Sequence, residues 1–180
     1  MIKIFSFEPI YFDNNGDQGN VEVLVHQLNQ QGKKFKIVTS AEKADFVLIG
    51  DGSNAVMDRY SKELEKLRKI VAQRFAQGLP TLLVGSAYEF FAAEMGLSPN
   101  VVKRESKFVT TNEGYFGYRN SDKDLPVCFV KGSFIGTSLF GPVLAKNPQL
   151  LGRVLNAVGA ELRLAAQALE WIEIIRSKNG

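Results

Sequence analysis

Apolar positions recur in two rhythms along the chain. Segment "IKIFSF" at the start reads as a strand, and the turn-rich "DNNGDQGN" after it leads into an amphipathic helix with Val21, Leu24, Val25 and Leu28 on one side. A second strand is predicted in "FKIVT" and a third in "DFVLIG" (Asp45 to Gly50), whose near-continuous apolar run fits a strand covered on both faces. Both are expected in the middle of a sheet. After the loop "DGSNAV", Tyr60, Leu64, Leu67, Val71 and Phe75 recur at helical spacing until Gly78 and Pro80 stop the pattern. "TLLVG" is the next buried strand, and the helix "SAYEFFAAEMG" ends at Gly96.

From about Val101 to Phe140 the pattern changes to short runs, "KFVTT", "YFGYRN", "VCFV" and "SFIGTSLF", expected as antiparallel additions to the sheet. Two helices close the chain. The first is expected to open with Asn147 as N-cap and Pro148 at its first position. The second carries Leu162, Leu169, Ile172 and Ile175, and its apolar face suits another chain as well as its own sheet. Strands alternating with helices, then a small antiparallel extension, predict a three-layer, flavodoxin-like α/β fold with a mostly parallel sheet, as one domain over residues 1–180. In such sheets ligands sit at the carboxyl ends of the strands. That edge should hold "GDGSN" (Gly50 to Asn54), "GSAYE" (Gly85 to Glu89) and "GTSLFGP" (Gly136 to Pro142).

Composition narrows the chemistry. A chain of 180 residues, 45% hydrophobic, can bury a substantial core. Its 22 basic and 19 acidic residues are scattered and sum to +3, without the concentrated patch that nucleic acid selects. No apolar run approaches the roughly 20 residues that span a bilayer, and "MIKIFSFEPI" lacks a signal-peptide core, so a cytoplasmic protein is expected. With Cys128 the only cysteine and His26 the only histidine, an intramolecular disulfide and a cysteine-based zinc cluster are excluded. No metal or cofactor is expected.

"TLLVGSAYEFF" has the strand, tight turn and helix that present a nucleophile in many α/β enzymes, yet the turn holds Gly85, Ser86 and Ala87. Together with "GDQGN", "FVLIGDGSN" and "GTSLFGPVLAKNPQLL", this stretch resembles the class I glutamine amidotransferases of the cobyric acid synthase type. The likeness is strongest to the glutaminase subunits of lipid II isoglutaminyl synthases, which work beside a Mur-ligase-like subunit. "GTSLFGP" and the following "LAKNP" are similar to that family's Gly-Thr-Tyr-Leu-His-Gly-Pro and Leu-x-x-Asn-Pro. "PTLLVGSAYEFFA" stands where the family has a strand leading into Cys-Gly-Gly-Tyr-Gln, and "GYFGYRNSD" lies at its Gly-Phe-Glu-Asn-His. The resemblance puts the family's cysteine position at Gly85 and its histidine position at Phe140. Tyr88 matches a family tyrosine, Glu89 replaces a glutamine, and Asp51 falls within the family's glycine-rich oxyanion loop.

Thiolate and imidazole are the working pair of such a glutaminase, and both groups are missing. An acidic Asp51 beside a developing oxyanion opposes its formation. In triad enzymes the oxyanion contacts and binding alone retain only about 10³ to 10⁴-fold over water. The resemblance therefore implies a protein without glutaminase turnover, serving beside a Mur-ligase-like or other ATP-dependent synthetase. Alternatively, the vacated pocket takes a small amine or amino acid. Phe140, Tyr88 and Tyr118 would then line an aromatic cavity, Asp51 and Glu89 would select the amine, and Gly50, Gly52, Ser53 and Ser86 would complete the wall. A third reading makes Ser86 a relocated nucleophile, which needs a base. His26, on the first helix, is expected at the surface, and Cys128 in "VCFV" is expected to fill core.

Overall fold

A computed structural model describes residues 1–179. The chain runs through β1 (Ile2–Ser6), α1 (Gly19–Gln30), β2 (Phe35–Ile37), β3 (Phe46–Ile49), α2 (Asn54–Arg59), α3 (Ser61–Gln77), β4 (Thr81–Val84) and α4 (Ser86–Phe90). It continues with β5 (Val101–Thr110), β6 (Phe116–Lys123), β7 (Cys128–Lys131), β8 (Phe134–Thr137), β9 (Leu139–Phe140), α5 (Val143–Lys146), α6 (Pro148–Ala157) and α7 (Ala166–Asn179). Six strands form the main sheet in the order β2-β1-β3-β4-β8-β7. All its pairings are parallel except β7 with β8.

Strand periodicity separates the core into two. Ile2, Ile4, Phe46, Leu48, Leu82, Val84 and Ile135 point to one face and pack with Leu24 and Leu28 of α1 and with Leu150, Leu151 and Val154 of α6. Their neighbours Phe5, Val47, Ile49, Leu83 and Phe134 point to the other face, against Leu64 and Val71 of α3 and Phe91. Each such side chain contributes about 1.5–3 kcal/mol by leaving water. The continuous apolar runs of β3 and β4 follow from this, since every residue in them is buried.

Four expectations need correction. β2 lies at the sheet edge beside β1, with two of its three residues exposed, so only β3 of the expected central pair is central. "SFIG" is no antiparallel addition: β8 is the fifth parallel strand, paired with β4 from Thr81↔Phe134 to Val84↔Thr137. β5, β6 and β9 form a separate three-stranded antiparallel sheet. Asn147 precedes α6 without a side-chain cap, because its amide faces β6 instead: Phe116 N–H donates to Oδ1 at 2.7 Å, and Nδ2 donates to the Phe116 and Val143 carbonyls at 2.9 and 2.8 Å. A buried asparagine thus does the work of a short strand.

The closing helix also differs. Leu162 lies in a strap ahead of α7, where Gln27 of α1 and Gln31, just past the end of that helix, pair with the backbones of Arg163 and Glu161. α7 buries no side chain and leaves Leu169, Trp171 and Ile175 exposed. Arg176 ties it to the Lys146 carbonyl at 3.1 Å and to Asn147 Oδ1 at 3.2 Å. Among the described residues no helix is long and apolar enough to cross a membrane.

Candidate functional site

Parallel pairing of β3, β4 and β8 brings the loops after them to one edge, where the β1-to-α1 loop joins them. In the order β2-β1-β3 the chain reverses its direction of growth at β1 and β3, which opens a crevice at their carboxyl ends.

Gly85 forms the turn between β4 and α4 at φ +55° and ψ −120°, a conformation that side chains rarely adopt. Its surroundings reinforce the requirement. A Cβ built there collides with Asp51 Oδ1 and comes 2.6 Å from Cε1 of the Phe140 ring. The elbow has its backbone shape, and two side chains from other loops fill the place of a third.

Asp51 is 6% exposed and is held from several sides. Its Oδ1 accepts from the Ser86 N–H at 2.9 Å, and its Oδ2 accepts from the amides of Asn14 and Asn15 at 3.0 and 2.9 Å. Its own N–H donates to Asp17 Oδ2 at 2.7 Å. Gly50, just before it, lies under the Phe12 carbonyl and the Asp17 side chain, where any Cβ collides. Ser86 Oγ accepts from the Gly52 N–H at 2.9 Å, and Ser53 caps α2 by accepting from the Val56 N–H. β4, β3 and the first loop are therefore laced together by one carboxylate.

Behind Asp51 stands Asp17, fully buried. Burial pushes its carboxyl up to about 7, an effect eased by the Asp51 N–H and reinforced by the charges of Asp51 and Asp13. The "GDQGN" pattern is otherwise structural. Asn20 Oδ1 accepts from Leu144 N–H at 2.8 Å, and its Nδ2 donates to the Asp17 carbonyl at 2.9 Å.

In front of Asp51 lies a cleft of about 350 Å³. Asp51, Gly52, Ser53, Ser86, Glu89 and Phe140 line its inner wall, Asn14 and Asn54 its side, and residues 120–123 with Arg104 its outer wall. Glu89 accepts from Ser121 Oγ at 2.9 Å, and burial raises its carboxyl above the ordinary glutamate range. Asp122 pairs with Arg104 at 3.2 Å and with Lys123 at 2.9 Å.

The expected aromatic cavity does not form. Tyr88 is completely buried and donates to the Pro126 carbonyl at 3.1 Å, with burial raising its phenol above the usual range. Tyr118 pairs with Phe140 across β6 and β9 and packs on Phe108 at 5.2 Å, outside the cleft lining. Gly50 is likewise behind the wall. Only Phe140 among the three aromatic rings reaches the cleft, which is otherwise polar.

Sequence reading missed Asn14, Asn15, Asp17, Arg104 and the Asn120–Lys123 segment. The first three stood in plain view in "DNNGDQGN", a run of amides and carboxylates at the carboxyl end of a strand. The others sit on β5 and β6, whose docking against α4 no local pattern announces.

Among the described residues no hydrogen bond joins Ser86 Oγ to a carboxylate or an imidazole, and the hydroxyl meets the Gly52 N–H instead. His26 is exposed on α1 and meets Gln30 at 3.0 Å. Cys128, on β7, has its thiol pushed up to about 12 by burial, which keeps it protonated.

No family model matches the chain. It is 21% identical to GatD of the glutamine-hydrolyzing lipid II isoglutaminyl synthase from Staphylococcus aureus, over 86% of this chain and 83% of that protein. Among solved structures, a glutamine amidotransferase from Thermotoga maritima superposes with a TM-score of 0.51 at 13% identity, covering 98% of this chain and 83% of the other. A GMP synthase subunit protein from Thermoplasma acidophilum gives 0.51 at 17% identity, covering 98% of both chains. Sheet order and the neighbouring structures agree, and the chain has the α/β fold of the class I glutamine amidotransferases.

Proposed function

We propose that this chain is a glutamine amidotransferase-like protein that does not hydrolyse glutamine and that serves as a non-catalytic subunit beside a Mur-ligase-like or other ATP-dependent synthetase. The observation that carries the loss of activity is the contact between the Asp51 carboxylate and the Ser86 N–H. At a nucleophile elbow, the N–H one residue past the nucleophile stabilises the oxyanion of the tetrahedral intermediate. Here that donor already holds an anion. A substrate carbonyl would have to displace a carboxylate bound by three N–H groups and then develop charge beside it. Gly85, at the position the family gives to its cysteine, has no side chain to attack with, and Phe140 brings a hydrocarbon ring where the family has its base.

The non-catalytic partner role is supported by likeness alone: GatD is named as one subunit of a synthase, and the Thermoplasma protein as one of another. Co-purification with a Mur-ligase-like protein, followed by ammonia release from glutamine, tests both halves. A stoichiometric complex that releases no ammonia above the partner alone is expected. Glutamine-dependent ammonia from this chain would overturn the first half, and failure to associate with such a synthetase the second.

The cleft favours a second reading. Its volume lies within the roughly 300–1,000 Å³ of small-molecule sites. Glu89 and Asp51 line its inner wall and Arg104 and Lys123 its outer wall, a pairing suited to a zwitterion such as an amino acid. Calorimetric titration with free amino acids tests this. Saturable binding weakened by Glu89→Gln is expected, and no heat from any amino acid would reject it.

A further inference from the structure

α7 carries more apolar surface than its own fold uses. A helix of 14 residues is marginal in water by itself, and one with apolar side chains around most of its girth is normally covered. Arg176 anchors it, donating to the Lys146 carbonyl at 3.1 Å and to Asn147 Oδ1 at 3.2 Å. Away from that anchor, two rows of side chains spaced four residues apart run next to each other along the helix. Trp171 and Ile175 make one row, at 58% and 42% exposed. Glu170, half-buried Ile174 and Lys178 make the other, and its two charged ends are exposed. Among the described residues neither Glu170 nor Lys178 has an ion-pair partner within the chain. None of these side chains lines the cleft.

We propose that this face of α7 is a contact between two copies of the chain, packed antiparallel across a two-fold axis at Ile174. The row Glu170, Ile174, Lys178 runs acid, apolar, base. Turning it about its middle sets Glu170 against Lys178 of the second copy and Ile174 against its own image, the self-complementarity that a two-fold contact requires. A parallel pair would put Glu170 on Glu170 and Lys178 on Lys178, so the charges select the antiparallel arrangement. The row has no net charge to suit a partner of one sign. Its complement is itself.

The apolar side chains supply the affinity and the charges the orientation, since exposed ion pairs contribute little by themselves. The helix is about 21 Å long and about 10 Å wide. A strip of that size falls short of the roughly 800 Å² per partner of a standard interface, so the pair is reversible and forms in the micromolar range. It holds independently of whether the chain hydrolyses glutamine or joins a synthetase.

Sedimentation of the full chain from about 1 to about 500 µM tests it, read together with the fluorescence of Trp171, the chain's single tryptophan. The mass should rise from monomer to dimer, and the emission should shift to the blue with the same midpoint as the indole leaves water. Glu170→Lys and Lys178→Glu should each raise the dissociation constant about tenfold, because both symmetric pairs turn repulsive. Glu170→Lys combined with Lys178→Glu should recover it to within about threefold. A chain that stays monomeric, an emission that ignores concentration, a dimer that the single variants leave unchanged, or a double variant as weak as either single one would overturn the contact.

Discussion

The Asp51 carboxylate sits 2.9 Å from the Ser86 backbone nitrogen, and a Cβ at Gly85 would collide with its Oδ1. A single side chain thus occupies both the first N–H of the elbow helix and part of the volume that a side chain at Gly85 would take. Phe140 takes the rest. The two positions that the resemblance singles out, Gly85 and Phe140, are neighbours in space.

Restoring a thiol alone should therefore fail. Gly85→Cys places a Cβ against Asp51 and Phe140 in a backbone conformation that costs about 1–3 kcal/mol for a side chain. Urea unfolding should show a loss of at least that size, and ammonia release from glutamine should stay at background.

Removing the carboxylate should cost stability rather than create activity. Asp51→Ala leaves the Ser86 N–H and the amides of Asn14 and Asn15 without their acceptor. Water replaces the acceptor at the exposed Asn14 and Asn15 amides, so an expected loss of about 1–3 kcal/mol follows, mainly from the part-buried Ser86 N–H, read from the urea midpoint. Asp51→Asn keeps one acceptor and should lose less.

Asp17 sets a pH dependence of definite sign. Its carboxyl lies near 7 in the folded chain against 3.8 in the unfolded one, so between those values the native state holds a proton that the unfolded chain has released. The resulting stabilisation is complete below about pH 4, declines as pH rises toward 7, and is gone above it, on the order of 4 kcal/mol in total. Lowered carboxyls such as Asp122 and Asp124 act in the opposite sense at more acid pH. The difference between wild type and Asp17→Asn across pH 4 to 8 isolates the Asp17 contribution, and a flat difference would contradict it.

Asn147→Ala tests the link between the second sheet and the α5–α6 junction. It deletes both hydrogen bonds to the Phe116 backbone and a third to Val143, all buried. A loss of about 3 kcal/mol or more is expected in denaturant unfolding. A loss below about 1 kcal/mol would mean that β6 is held by its other neighbours.

Part of the fold was legible because the parallel core writes itself locally: β3 and β4 are buried on both faces and show as apolar runs, whereas β8 is equally buried but its Gly136 and Thr137 break the run, and its parallel place was not legible. The edge position of β2 was not, since its three residues look like any short strand and only pairing with β1 decides its place. β5 and β6 were legible as strands, while their separation into a second sheet depends on long-range contacts such as Ser121 with Glu89. At the site, glycine and carboxylate positions could be read from the loops. Tyr88 misled because its place in the motif says nothing of direction, and its ring turns into the core toward Pro126.

Ammonia release from glutamine, measured for the purified chain alone and with a Mur-ligase-like partner beside a Gly85→Arg control, tests the absence of catalysis most directly. Release indistinguishable between wild type and control, at the level of the partner alone, is expected. Turnover that Gly85→Arg abolishes would show that this edge is catalytic after all.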